Sequence, residues 1–431
     1  MRYDTIDQQL FIDTRKELAK NLKPNSMVII HSNDIYPTNA DGEIPHHQYA
    51  DLLYFTGADQ EESVFIFYPD AKAESQREIL FVRETNEHIA IWEGEKLTKE
   101  KATEVSGIKR IEWAHDFDKI LKGMIHQADH LYLSSNEHCR AQNPVETRND
   151  RFIKQCKKDY PLMNYERLSP ITDRLRSIKH PIEIELIQKA CDITEKGFRR
   201  VLEFVKPGVG EWEIEAEFIH EFTRNKSKGF AYTPIVGGGH NACVLHYIAN
   251  NCEVKDGDVI LMDVGAEYAN WNSDMTRSIP VNGKFTDRQK DVYNAVLRTM
   301  RYADSILRPG VYPADYQKDV RAFMEKELIG LGLIDAEEAK KQDESKPLVS
   351  KYFMHGTSHH LGLAVHDVSD TKEPFAVGQV LTIEPGIYIR EENLGIRLEN
   401  NVVIGEESNT DLMANIPIEA DEIEALMAAN K

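Results

Sequence analysis

Cysteine is scarce in this chain: five in 431 residues, at Cys139, Cys156, Cys191, Cys243 and Cys252, with no CxxC pair. A scattered, odd-numbered set supports neither a disulfide framework nor a thiolate metal site, so reduced structural thiols are expected. Long apolar runs are missing as well. No stretch reaches the roughly eighteen apolar residues that read as a membrane-spanning helix. The opening "MRYDTIDQQLFIDTRKELAK" has charges where a signal peptide would have its apolar core, and reads as an amphipathic helix. A soluble, cytoplasmic protein with no membrane partner is expected. Positive charge is in deficit, 52 Lys and Arg against 72 Asp and Glu, and the net charge of -20 disfavours nucleic acid as a partner. Gly/Ser and Pro tracts are absent too; with 41% hydrophobic and 29% charged residues the composition is that of a globular chain without extended disorder.

The length suits two domains of ordinary size. Up to about residue 170, short β-branched runs such as "SMVIIHS", "SVFIFYP", "EILFV" and "HLYLSS" alternate with amphipathic helical stretches, the pattern of an α/β domain. Pro170 and Pro181 then punctuate the chain, and a long helix pattern begins with Glu183 and Glu185 in its first turn. The boundary is placed to give domains 1–172 and 173–431. The second contains an echo: "GFRRVLEFVKPGVGEWEIEAEFIHEF" and "TMRYADSILRPGVYPADYQKDVRAFMEKEL" both read helix, Pro-Gly-Val turn, helix. Two copies in matching contexts suggest a duplicated α/β half. Between them, "DVILMDVGAEYANWNSDMTRSIPV" reads as two antiparallel strands around "GAEYANWNS". The charged "DAEEAKKQDESKPLVSK" reads as a surface insertion.

Two features carry chemistry. The first is "FMHGTSHHLGLAVHD", residues 353–367, with His355, His359, His360 and His366. The spacing of His355 and His359 would put two imidazoles on one helix face, as in a zinc peptidase, but Gly356 stands where that signature needs glutamate. Locally, a zinc site, a proton relay and a loop without function all remain open. The second feature is a set of carboxylates in apolar surroundings: Asp263 in "LMDVG", Asp274 in "NSDMTRS", Glu384 in "VLTIEPGIYI" and Glu399 in "LGIRLENNVVI". Burying one carboxylate without a partner costs several kcal/mol, so a cation is expected nearby. A single buried acid is most simply a salt bridge; four in one domain, with histidines, weaken that reading. If they converge with one imidazole, the oxygen-rich set favours Mn²⁺ or Co²⁺ over a thiolate-type zinc site, and four charges balance two divalent ions. Two such ions polarise a carbonyl and supply a hydroxide, which makes hydrolysis the natural reaction class.

The ordered motifs "LMDVGAEY", "NSDMTRS", "HGTSHHLGLAVHD", "TIEPGIY" and "GIRLEN" resemble the pita-bread dinuclear metallopeptidases, the family of aminopeptidase P, prolidase and methionine aminopeptidase. The resemblance spans residues 176–420. The N-terminal part looks like the smaller α/β domain of aminopeptidase P, prolidase and creatinase, which methionine aminopeptidases lack. It implies a pita-bread catalytic domain holding two divalent ions, best Mn²⁺, with Co²⁺ or Zn²⁺ also fitting the donors. Asp263 would chelate one metal, Asp274 and Glu399 would bridge both, and His359 and Glu384 would complete the second. Glu384 is also the implied general base, taking the proton of the bridging water. His246 in "CVLHY", His355 and His366 match substrate-facing histidines, and His360 matches none. Arg397 is implied to pair with Tyr388 and with Asp51 of the N-terminal domain, although "IPHHQYAD" departs from the family's segment there. Trp92 in "IAIWEGEKL" resembles a tryptophan that, in tetrameric relatives, reaches a neighbouring subunit; an ordinary core tryptophan is the alternative. A homodimer or homotetramer is implied.

The bond before proline is a tertiary amide whose ring crowds the site, so its enzymes need a shaped pocket and strong carbonyl polarisation. Ser358 before the metal histidine looks closer to bacterial aminopeptidase P than to prolidase, while Ala364 departs from the aspartate of both. Cleavage of N-terminal residues from Xaa-Pro peptides is expected. Prolidase is the alternative within the same chemistry, and a metal-free binding protein on the same fold is the alternative outside it.

Overall fold

The computed structural model of the chain describes residues 2–429 apart from 139, 143, 344 and 371. It separates into two compact units, Tyr3–Arg176 and Ser177–Lys431. Cys139 lies outside the described residues; Cys156, Cys191, Cys243 and Cys252 are free thiols.

The first unit is built on a six-stranded mixed sheet in the order β4-β3-β2-β1-β5-β6. The strands are β1 (Ser26–His31), β2 (Val64–Phe67), β3 (Glu78–Val82), β4 (Ile111–Trp113), β5 (His130–Leu133) and β6 (Asn164–Arg167). All six residues of β1 are buried, as expected of a strand covered on both faces. The amphipathic N-terminal stretch forms the helix Gln9–Asn21, which buries Leu10, Phe11 and Leu18. Phe117 and Phe152 pack with the sheet residues Met27, Ile29, Ile66 and Phe81 in one apolar cluster. Each such side chain contributes about 1.5–3 kcal/mol on burial. A cleft of about 700 Å³ in this unit is lined by Arg15, Arg77 and Glu78 among others. It contains none of the carboxylates or histidines singled out above.

The second unit holds two helix pairs, each joined by a Pro-Gly turn. Pro181–Phe204 is followed by Glu211–Arg224, and Asp287–Ile306 by Pro313–Gly330. Gly208 and Gly310 occupy the same place in the two turns with φ of 91° and 87°, a region that glycine enters without steric penalty. The sequence echo is thus a repeated helix–turn–helix. Local signals set the helix starts: the Nδ1 of His180 accepts from the Ile182 N–H, the Glu183 carboxylate accepts from the His180 N–H, and Pro181 occupies the first turn.

Around these helices run β7 (Ile235–Gly238), β8 (Val259–Val264), β9 (Glu267–Tyr268), β10 (Trp271–Asn272), β11 (Met275–Pro280), β12 (Val380–Ile383), β13 (Gly386–Ile389), β14 (Leu394–Arg397), β15 (Asn400–Val403) and β16 (Thr410–Asp411). β8 and β11 pair antiparallel, with Asp263 opposite Thr276. The segment between them makes a small hairpin of its own, β9–β10, turning through Ala269 and Asn270 at positive φ. The histidine-rich segment 353–367 contains no helix; its regular pairing is a bridge between His360 and Leu381. The helix-face zinc clamp considered for His355 and His359 therefore has no helix to stand on. The charged insertion forms the short helix Ala336–Ala339 and a 3-10 turn, Leu348–Lys351, and is mostly exposed.

Candidate metal centre

Pairing of the strands brings distant carboxylates together. Asp263 sits near the end of β8, and Asp274 immediately precedes β11. Glu399, between β14 and β15, is drawn to the same place by Thr276: the Glu399 N–H donates to the Thr276 carbonyl at 3.1 Å, and the Thr276 hydroxyl donates to Glu399 Oε2 at 2.7 Å. Glu384 follows β12, its N–H bonded to the Thr357 carbonyl at 2.8 Å. His359 is held by the same strand, since its N–H donates to the Thr382 hydroxyl and its carbonyl accepts from the Thr382 N–H.

The His359 ring has one face for structure and one for chemistry. Nδ1 lies 3.0 Å from the His360 carbonyl, which makes it the protonated nitrogen. Nε2 then faces Asp274 Oδ2 at 3.4 Å and Glu384 Oε1 at 3.6 Å. A backbone carbonyl fixing one nitrogen while the other faces carboxylates is how metal-binding histidines are oriented. One ligand atom each from Asp274, His359 and Glu399 lies within 4.8 Å of the others.

The electrostatics fit a cation. Asp263, Asp274, Glu384 and Glu399 crowd together, and Arg397 offsets one charge through a 2.5 Å contact with Asp263 Oδ2. Burial pushes the Glu399 carboxyl well above the usual carboxylate range, and repulsion from Asp274, Glu384 and Asp263 adds to it. Burial likewise raises Asp274, against the pull of the His359 hydrogen bond, and lifts Glu384 to about 7. Burial alone would lower the His359 imidazole, but Asp274 and Glu384 hold it up at about 9. Glu399 Oε1 is buried without a hydrogen-bond partner. An orphaned carboxylate oxygen beside three other acids and a correctly turned imidazole is a donor set for hard or borderline divalent ions, and the residues fit such a group.

Tyr232 was not singled out from the sequence, yet its hydroxyl contacts both Asp263 Oδ1 and Asp274 Oδ1. "FAYTPIV" bears no motif, and a tyrosine in an apolar stretch carries no signal of such a contact. Behind the carboxylates runs a directed chain. Arg397 donates from Nη1 to the Tyr388 hydroxyl at 2.8 Å and from Nε to Thr276 at 3.1 Å. The Tyr388 hydroxyl donates in turn to His355 Nε2 at 2.8 Å, while His355 Nδ1 faces the Gly356 carbonyl. Burial and the Arg397 charge push His355 down to about 4, which keeps it neutral. The His366 ring lies 3.8 Å from that of His359, centroid to centroid. His246 is exposed, on the segment that follows β7. His360 is buried and its carbonyl accepts from the Asp367 N–H, with Lys179 paired to Asp367 at 2.9 Å.

Two expected residues belong to the first unit. Asp51 accepts from Arg176 at 2.9 Å and from the Ser134 hydroxyl at 3.1 Å, both within that unit. Trp92 is 77% exposed on the helix Glu87–Glu93, so it is not a core tryptophan.

Known proteins resemble this chain in sequence and in fold. Residues 185–406 match the model of metallopeptidase family M24, and residues 11–132 match the aminopeptidase P N-terminal domain. The chain is 33% identical to the Xaa-Pro aminopeptidase of Escherichia coli over 98% of both chains, and 30% identical to that of Haemophilus influenzae over 98% of both. The solved structure of zinc-substituted E. coli aminopeptidase P in complex with product superimposes with a TM-score of 0.87, at 32% identity, over 99% of this chain and 100% of that one.

Proposed function

Because the chain belongs to metallopeptidase family M24 and is a metal-dependent aminopeptidase with an aminopeptidase P-type N-terminal domain, we propose that it releases the N-terminal residue from peptides whose second residue is proline. The observation that carries this reading is the convergence of Asp274, His359 and Glu399, with Glu399 Oε1 left unpaired for a cation. In it, Asp263, Asp274, His359, Glu384 and Glu399 hold two divalent ions, Mn²⁺ by preference for this oxygen-rich set and Co²⁺ or Zn²⁺ as further fits. When bound, such ions polarise the scissile carbonyl and lower the pKa of water.

The chain's own residues do the rest. Glu384 takes the proton of the attacking water. His355, kept neutral and fixed by the Tyr388 hydroxyl, presents its ring to the substrate. His246 and His366 face the scissile carbonyl and carry a proton to the leaving nitrogen, which must gain one to depart as the amine of proline. Arg397 holds Asp263 and Tyr388 in register.

The test is a comparison of an Xaa-Pro dipeptide with an Xaa-Pro-Xaa tripeptide in Mn²⁺. Turnover of the tripeptide is expected. Cleavage of the dipeptide alone would leave prolidase as the activity, and a protein that takes up no stoichiometric divalent metal would be a binding module on the same fold. Trp92 and Ile91, 77% and 79% exposed on one short helix, support association into a homodimer or homotetramer through that face. The four described free thiols suit the reducing cytoplasm, and no described helix is long and apolar enough to cross a membrane.

A further inference from the structure

His246 is an exposed imidazole to which no side chain among the described residues is hydrogen-bonded. Its position therefore depends on the backbone that carries it, residues 238–252. That segment contains a 3-10 turn, Gly239–Cys243, and then no helix or strand before β8, only an isolated bridge between Glu253 and Gly210. Ala242 shares an apolar cluster with Ile235, Leu261 and Tyr388, against which Leu245 and Tyr247 pack, and this places the segment beside the Arg397–Tyr388–His355 chain. Asn250 ties the end of the segment to the Val236 N–H and the Pro234 carbonyl, which leaves residues 239–249 to be fixed by other contacts.

One carboxylate ties the segment at its start, its middle and its end. Glu211, the first residue of the helix Glu211–Arg224, is fully buried. Its Oε1 accepts from the Gly238 N–H at 2.9 Å and from Asn241 Nδ2 at 3.1 Å. Its Oε2 accepts from the Tyr247 hydroxyl at 2.8 Å and from the Cys252 N–H at 2.9 Å. The backbone adds a return bond, from the Glu211 N–H to the Cys252 carbonyl at 2.9 Å. Four donors converge on one buried carboxylate, with which no Lys or Arg among the described residues forms an ion pair, and Tyr247 is the neighbour of His246 in the chain. A helix-terminal acid needs none of this to favour its helix.

We propose that Glu211 is a positioning residue for catalysis, setting where His246 stands relative to the substrate by clamping residues 238–252. The inference rests on the substrate-facing role given to His246 above. Gln in its place keeps the size but offers one accepting oxygen and a nitrogen that faces donors, so part of the clamp opens.

A double-mutant cycle on the Mn²⁺-loaded enzyme with an Xaa-Pro-Xaa tripeptide tests it. Glu211→Gln is expected to lower kcat/KM at least tenfold in the wild-type background, with metal content unchanged, and less than twofold on top of His246→Ala. The ring signals of isotopically labelled His246 are expected to broaden or split in Glu211→Gln. Equal losses in both backgrounds, or an unchanged His246 signal with full activity, would overturn the clamp. Full turnover by His246→Ala would instead reject the histidine's own role. Should Glu211→Gln not fold, Tyr247→Phe removes a single bond from the clamp and is read by the same cycle: non-additivity with His246→Ala supports the inference and additivity overturns it.

Discussion

Replacing Glu384 by glutamine sets activity against stability, and the structure gives both signs. Burial, with repulsion from Asp274 and Asp263, lifts the Glu384 carboxyl to about 7 from an ordinary value of 4.5, against the pull of His359 and Arg397. The native protein thus keeps this proton up to neutral pH, whereas the unfolded chain gives it up near its ordinary value. Between those two limits the native state binds more protons, so stability from this group is full below the lower limit and falls as pH rises to about 7. At about 1.4 kcal/mol per pKa unit the whole fall is about 3 kcal/mol. Glutamine does not titrate. Urea unfolding of chelator-treated protein at pH 5 and pH 8 should show the variant gaining about 2–3 kcal/mol relative to wild type at the higher pH. In Mn²⁺ the same change should reduce stability, because a ligand is lost, and turnover should fall by orders of magnitude. Parallel pH dependence in the two chelated proteins would refute the crowding argument, and unchanged turnover would reject Glu384 as the base.

Two further outcomes are expected. Free Mn²⁺ at about a hundred times its dissociation constant should stabilise the protein by about 2.7 kcal/mol, read as a rise in Tm that a chelator reverses; no rise would count against the metal centre. His31, buried between Phe117 and Phe152 with neither ring nitrogen hydrogen-bonded, is pushed down to about 3 by burial and by Arg148 and Arg151. The unfolded chain binds its proton first as pH falls, so stability present above about 6.5 is lost on acidification, by about 2 kcal/mol at pH 5. His31→Leu should remove that part of the acid sensitivity in urea unfolding at the two pH values, and an unaltered pH difference would disprove it.

The carboxylates were legible in the sequence because each breaks a local rule. Asp263 is flanked by Met262 and Val264, both buried, and an acid inside such a strand asks for a partner. The choice among the four histidines was not legible locally. His359 is selected by Thr382, which binds both its N–H and its carbonyl from a strand more than twenty residues on. Tyr232 and Glu211 left no trace for a similar reason. Tyr232 acts through contacts with residues 31 and 42 positions away, and Glu211 looks like any acid in the first turn of a helix. Trp92 shows the opposite limit: apolar residues in a short helix do not reveal which side is covered, and here Ile91 and Trp92 both face out.

Duplication accounts for the spread of the ligands along the chain. Asp263 in β8 and Asp274 just before β11 follow the first helix pair, and His359, Glu384 and Glu399 come from segments that follow the second. The first half brings Asp263 and Asp274 together at the Tyr232 hydroxyl, and the second adds His359, Glu384 and Glu399. The conflict arises where they meet, at the bridge between Thr276 and Glu399. There the Thr276 hydroxyl binds one oxygen of Glu399 and accepts from Arg397 Nε, which fixes the carboxylate and leaves the other oxygen unpaired. A hydrogen bond to that second oxygen would relieve the strain of burial but would also remove a cation ligand. The site keeps the destabilising arrangement, and binding of a divalent ion is the step that compensates it.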